Sequence, residues 1–130
     1  MLITWTEDYA TGHREIDADH RRIADLVNMM NDRIQSAPEA IEEAFRTLES
    51  YVVTHFEREE RLMAEWAYPG LAEQKTEHAA LIRELQSIGK TLGRDEMAVS
   101  RLVMFLAKWW AAHIGRSDMK YVPYIKTKGK

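Results

Sequence analysis

A histidine and a glutamate occupy positions where an apolar helix face would otherwise continue. His55 and Glu59 lie four residues apart, on one face of a predicted helix and roughly 6 Å apart along its axis. The remaining positions of this face recur at spacings of four and three residues and are apolar: Ile41, Phe45, Leu48, Val52 and Leu62. A buried carboxylate is costly unless a positive or hydrogen-bonding group meets it. The pair therefore indicates a metal-ligand-like site within a core.

Other predicted helices carry polar side chains at equivalent positions. His20 lies near the start of the first helix, and His113 lies at the end of the fourth. Gln74 and His78 lie near the start of the third helix, and Asp118 follows five residues after His113. In an antiparallel bundle, the starts of the odd helices and the ends of the even helices meet at one end of the molecule. We therefore expect all these side chains in one layer of the core.

This layer is better explained by metal ions than by ordinary packing. A single histidine on an apolar face is more often a satisfied core residue than a ligand. Four imidazoles around a buried glutamate would form a crowded and poorly satisfied network without a metal. Four imidazoles and two carboxylates exceed the needs of one tetrahedral zinc ion, and carboxylates that bridge indicate two metal ions. Mixed nitrogen and oxygen ligands favour iron or manganese over magnesium or calcium.

Composition excludes several other classes of protein. The 130 residues are 45% hydrophobic and 30% charged, which predicts one globular domain over residues 1–130. The net charge of −3, without a basic stripe, argues against nucleic-acid binding. The absence of cysteine excludes thiolate sites and disulfides. No apolar run approaches about 18 residues and no signal-peptide pattern is present, so we expect no membrane association and a cytoplasmic location.

The apolar periodicity predicts an all-α fold, an antiparallel up-down-up-down four-helix bundle with an N-terminal arm and a short C-terminal tail. The helices are predicted at residues 16 to about 35, 38 to about 65, 71 to about 92 and 99 to about 113. Asp17 and Asp19 are expected at the first helix start, and Gly115 is expected to end the fourth helix. His13 is placed on a surface arm outside the site, and Met104 is expected to fill the core.

Several motifs resemble the hemerythrin family, and specifically the single-domain bacteriohemerythrins. The segments GHREIDADH, HFEREERLM, YPGLAEQKTEH and WWAAHIGRSD occur in this order after Trp5, so that the resemblance spans nearly the whole chain. It implies a non-haem di-iron centre that binds dioxygen, in a carrier, store or sensor.

The resemblance also implies roles for individual residues. His20 and His55 would hold the iron to which dioxygen attaches, and Glu59 and Asp118 would bridge the two irons together with a solvent-derived oxygen. The second iron would be held by His78, His113 and one further histidine of the third helix. The dioxygen pocket would be lined by apolar side chains that exclude water: Ile23, Phe56, Trp109 and Ile114.

Gln74 departs from this pattern, because the family places a histidine four residues before His78. The amide can ligate the second iron through its oxygen, hydrogen-bond a bound water or leave a vacancy. Glu73 and Glu77 are poor substitutes for the missing histidine, because each lies about 100° around the helix from Gln74 or His78. A vacancy keeps two alternatives open: an oxidase or peroxidase, and a bundle that binds one metal ion or mixed metals. The sequence indicates no particular protein partner.

Overall fold

Four α-helices carry the fold of this chain. The computed structural model describes residues 2–33, 41–92 and 97–125. Its helices are α1 (Arg14–Arg33), α2 (Ile41–Glu65), α3 (Leu71–Gly89) and α4 (Ala98–Trp109). Both α1 and α3 pack against α2 and α4, which is the arrangement of a four-helix bundle. No strand occurs within the described residues, and the predicted all-α bundle is confirmed.

Asp17 fastens the N-terminal arm to the start of α1. Its carboxylate accepts hydrogen bonds from the backbone N–H of Thr11 (2.8 Å), from the Thr11 hydroxyl (2.7 Å) and from the N–H of Gly12 (3.1 Å). Gly12 has a φ of 90°, a conformation that favours glycine. His13 precedes the helix, and its Nδ1 accepts the N–H of Ile16 at 3.3 Å. The prediction for Asp17 is confirmed, but the surface position predicted for His13 is wrong, because its side chain is buried.

The last part of the chain differs most from the prediction. Gly115 does not end a helix, because Trp110–Ser117 continues α4 as a π-helical segment. Asp118–Tyr124 then forms a 3₁₀ helix instead of an irregular tail. Its Tyr121 is fully buried, which explains why this segment is ordered against the bundle. The predicted end of the first helix, the predicted start of the second and the last five residues lie outside the described ranges.

A polar layer divides the apolar core into two parts. Along α2, Phe56 belongs to the larger apolar cluster, Glu59 lies in the layer, and Leu62 belongs to the smaller cluster. The smaller cluster closes the bundle end beside the 3₁₀ helix and contains Ile16, Leu62, Met63, Trp66, Tyr121 and Ile125. The polar layer therefore lies between two apolar clusters, which shield it from solvent.

Two side chains of α4, one buried and one exposed, test how much core packing contributes to the free energy of unfolding. Leu102 is 0% exposed, whereas Met104, which the sequence assigned to the core, is 56% exposed. Replacing Leu102 with alanine should lower the free energy of unfolding by roughly 2–5 kcal/mol, because it leaves a cavity. Met104→Ala is the matched control and should change it by less than about 0.5 kcal/mol. Urea unfolding measures both, and equal losses would contradict the described orientation of α4.

Candidate metal centre

Two groups of buried donor atoms converge in the polar layer. His20, His55, Glu59 and Asp118 offer ligand atoms that all lie within 4.8 Å of one another. A second group with the same property contains Glu59, His78, His113 and Asp118. The two groups share both carboxylates and differ only in their histidines. This arrangement can hold two cations side by side, with Glu59 and Asp118 between them.

The imidazoles meet in pairs through their Nε2 atoms. Nε2 of His20 lies 3.1 Å from Nε2 of His55, and Nε2 of His78 lies 3.1 Å from Nε2 of His113. Two neutral imidazoles that both present lone pairs across this distance repel each other. Each pair therefore needs a proton or a metal ion between its nitrogens. The four Nε2 atoms thus converge in two pairs within the predicted layer.

Carboxylates behind three of the rings determine which nitrogen faces inward. Nδ1 of His55 lies 2.9 Å from Asp19, Nδ1 of His78 lies 2.8 Å from Glu60, and Nδ1 of His113 lies 3.5 Å from Glu77. A ring that donates its Nδ1–H to a carboxylate presents Nε2 as an acceptor. His20 differs, because its buried Nδ1 has no hydrogen-bond partner among the described residues.

Asp19 is itself held by residues of α2. It accepts a hydrogen bond from the Tyr51 hydroxyl at 3.0 Å and forms a close ion pair with Arg58. Burial raises the pKa of Asp19, but its hydrogen bonds with His55 and Arg58 outweigh this effect and lower it. The sequence placed Asp19 in the first turn of the helix, which is wrong, because it is the sixth residue of α1 and supports His55.

Tyr121 approaches the layer from the C-terminal 3₁₀ helix. Its hydroxyl donates a hydrogen bond of 2.6 Å to Oε2 of Glu59. Burial and the charges of Glu59 and Asp118 raise the pKa of Tyr121 well above its ordinary value, so it remains a donor. Burial opposes ionisation of Glu59, but the charge of His55 and the nearby imidazoles of His20 and His78 keep its pKa well below the usual range.

The π-helical segment brings His113 and Asp118 to the same side of the chain. In an α-helix, residues five apart point about 140° away from each other. In a π-helix the hydrogen bond runs from residue i+5 to residue i, and the N–H of Asp118 donates to the carbonyl of His113. As a result, Oδ1 of Asp118 lies 3.1 Å from Nε2 of His113.

Gln74 lies within the layer, and its amide contacts the segment that carries Asp118. Nε2 of Gln74 donates to the carbonyl of Ser117 at 3.1 Å and to Oδ1 of Asp118 at 3.3 Å. Glu77 does not approach this position but contacts the outer face of His113. His13 belongs to neither donor group and packs edge-on against Trp66.

Aromatic rings enclose the imidazoles. Phe56 stacks on His78 with 3.7 Å between ring centroids, and Trp109 stacks on His113 at 5.6 Å. Trp110, which was not among the predicted pocket residues, lies edge-on to His20 with 6.3 Å between ring centroids and is buried. The other two residues predicted to line the pocket, Ile23 and Ile114, are also buried in the larger apolar cluster.

Buried polar atoms without partners show that the donor set fits cations. Within the described residues, Oε1 of Glu59, Oδ2 of Asp118 and Oε1 of Gln74 have no hydrogen-bond partner. Imidazole nitrogens lie 3.2–3.4 Å from the first two oxygens, outside hydrogen-bonding geometry. Unsatisfied buried acceptors are rare and costly, roughly 1–3 kcal/mol each. Cations held by the two donor groups would satisfy the two carboxylate oxygens.

Comparison with known proteins assigns the family. The sequence model described as "Hemerythrin HHE cation binding domain" matches residues 11–125. The chain belongs to the hemerythrin family. It is 30% identical over 125 residues to the bacteriohemerythrin of Pseudomonas paraeruginosa, covering 95% of this chain and 82% of that protein. It is also 30% identical over 127 residues to the bacteriohemerythrin of Methylococcus capsulatus, covering 95% and 97%.

Solved hemerythrin structures share the fold. A crystal structure of wild-type hemerythrin has a TM-score of 0.89 to this chain at 29% identity, covering 98% of this chain and 100% of that one. The resemblance to hemerythrins found in the motifs is thereby confirmed. None of the helices in the described ranges combines the length and the apolar character that a membrane span requires.

The metal-free hemerythrin fold should lose stability in alkaline solution. Burial lowers the pKa of His20 and His113, but the carboxylates of Asp118 and Glu59 outweigh it and raise each pKa to about 9. Groups with raised pKa values stabilise the fold fully below the ordinary value of 6.5, and this contribution disappears as the pH rises through about 9. The expected loss is on the order of a few kcal/mol, since one pKa unit corresponds to about 1.4 kcal/mol.

Urea unfolding of the metal-free protein at several pH values between neutrality and mild alkalinity measures this loss. His20→Gln removes one of the two groups and should flatten the pH dependence. A free energy of unfolding that stays constant across this interval would show that the two imidazoles are not charged in the fold.

Proposed function

We propose that this chain binds two iron ions and uses them to bind dioxygen reversibly, as a carrier, store or sensor. The observation that carries the proposal is the pair of donor groups that share Glu59 and Asp118. Two ferrous ions at these positions would supply the electrons that reversible dioxygen binding requires. Membership of the hemerythrin family supports iron, and imidazole with carboxylate is a ligand set that suits it.

Each half of the site would receive two imidazoles. We assign His20 and His55 to the ion that accepts dioxygen, and His78 and His113 to its partner, with Glu59 and Asp118 between the two ions. The outer carboxylates would hold three of the rings in one tautomer and raise the basicity of the inward nitrogens. The short hydrogen bond from the Tyr121 hydroxyl fixes the other oxygen of Glu59.

The apolar lining supports reversible binding because it excludes water. Ile23, Phe56 and Ile114 are buried in the cluster that covers one side of the layer. Trp109 is partly buried and lies against His113, while Trp110 covers His20. A dry pocket disfavours escape of a charged, reduced form of oxygen, since such an ion would lose its hydration there. The cytoplasmic location expected from the sequence remains a prediction.

Iron content and an optical spectrum test the function together. Protein purified with iron should hold two ions per chain. After anaerobic reduction, air should produce a visible absorption band, and removal of oxygen should abolish it. His78→Ala should lose at least one ion, because it deletes an imidazole of one donor group.

His13→Asn is the matched control. It removes a buried histidine outside both groups and keeps a side chain that can accept the hydrogen bond at the helix start. One ion per chain in the unaltered protein, or two ions without an oxygen-dependent band, would refute the proposed function.

The outer carboxylate Asp19 offers an independent test of the ligand geometry. Asp19→Asn keeps the size of the side chain but removes the charge that faces His55 and Arg58. Metal affinity, measured by competition with a chelator, should fall by about 10- to 100-fold. The control is Glu15→Gln, which removes an exposed carboxylate 3.6 Å from the same arginine and should leave the affinity unchanged. Equal effects of both substitutions would indicate a general charge effect.

A further inference from the structure

The amide of Gln74 makes the two halves of the centre chemically different. We propose that its carbonyl oxygen is a weak, displaceable ligand of the ion held by His78 and His113, so that this ion accepts a small exogenous anion. The inference rests on the proposed two-ion site and adds a second position for ligand exchange to it.

The surroundings of Gln74 fix the orientation of its amide. The NH₂ group faces two oxygens that can only accept hydrogen bonds, the Ser117 carbonyl at 3.1 Å and Oδ1 of Asp118 at 3.3 Å. Rotating the amide by 180° would place its carbonyl oxygen against both acceptors and leave the NH₂ group without them. The carbonyl oxygen is therefore the atom that remains available.

This oxygen is buried and unsatisfied. Gln74 is 2% exposed, and its Oε1 has no hydrogen-bond partner among the described residues. Gln74 precedes His78 by four residues on α3, so the two side chains leave the same face of the helix. An unpartnered acceptor at this position, in the layer of converging nitrogens, is suited to a cation held by His78.

The composition of the two donor groups indicates why the bond would be exchangeable. Each group contains two imidazoles and the same two carboxylates, so the half near Gln74 has no additional imidazole. A neutral amide oxygen is a hard, uncharged donor of the kind preferred by magnesium, calcium or manganese, whereas imidazole suits iron. An anion can therefore replace the amide oxygen more easily than it could replace a histidine.

The remaining role of Gln74 is to position Asp118. Its N–H donates to the same oxygen, Oδ1, that lies 3.1 Å from Nε2 of His113. The NH₂ group makes this hydrogen bond, which therefore does not depend on the carbonyl oxygen. Exchange at this half would thus leave the shared carboxylate in place.

Cobalt(II) and azide test the proposal without dioxygen chemistry. Protein loaded with Co²⁺ should hold two ions per chain, and calorimetric titration should count two azide ions bound per chain. Gln74→His should bind two Co²⁺ but only one azide, because an imidazole fills the exchangeable position. Gln74→Met keeps the shape without the amide, and its second azide should bind about tenfold more tightly, since no oxygen competes.

Glu73→Gln, an exposed substitution next in sequence, controls for nonspecific effects on α3. Azide binding that is the same in the unaltered, Gln74→His and Gln74→Met proteins, all with two Co²⁺, would overturn the inference and leave the two-ion site intact. Fewer than two Co²⁺ in the unaltered protein would overturn both. If Gln74→Met does not fold, the azide count in Gln74→His still decides.

Discussion

The repulsion between facing imidazole nitrogens is the constraint on which the rest of the structure depends. Nε2 atoms approach to 3.1 Å in both histidine pairs, within a core that is buried from solvent. Without a metal, the carboxylates of Asp118 and Glu59 raise the pKa of His20 and His113 to about 9, so one imidazole of each pair keeps its proton near neutral pH. A cation replaces that proton directly, so metal uptake should release protons and strengthen as the pH rises. His20 and His113 thus stabilise the metal-free fold and are also proposed ligands of the centre.

A second ring of charges makes this arrangement possible. Asp19, Glu60 and Glu77 lie behind three imidazoles, on their outer faces, where they fix the tautomer and offset positive charge brought into the core. Arg58 and Tyr51 in turn hold Asp19, the most buried of these carboxylates. Only Glu59 and Asp118 lie between the two donor groups, whereas Glu60 and Glu77 are at least partly exposed and the buried Asp19 is paired with Arg58. This distribution limits the desolvation cost of a highly charged site.

The sequence predicted the elements that depend on periodicity and missed those that depend on contacts. Apolar spacing located the four helices, and antiparallel topology placed His20, His55, His78 and His113 in one layer. The π-helical segment was not predicted, because glycine commonly ends helices and Gly115 was expected to do so. The contact between His113 and Asp118 instead requires the helix to continue. The roles of Asp19, Glu60 and Glu77 could not be predicted, because each contacts a histidine on another helix. The sequence shows only that each of them adjoins a predicted site residue in the chain: His20, Glu59 and His78.

The two halves of the proposed centre differ in their supporting groups, although each has two imidazoles and they share two carboxylates. In one half, Nδ1 of His20 lacks the carboxylate partner that would make its Nε2 more basic. In the other half, both histidines have such partners, and the amide of Gln74 offers a further oxygen. A site with one strong and one weak half would hold its two ions with different affinities. The proposed ion beside His20 and His55 should therefore be the first that a chelator removes.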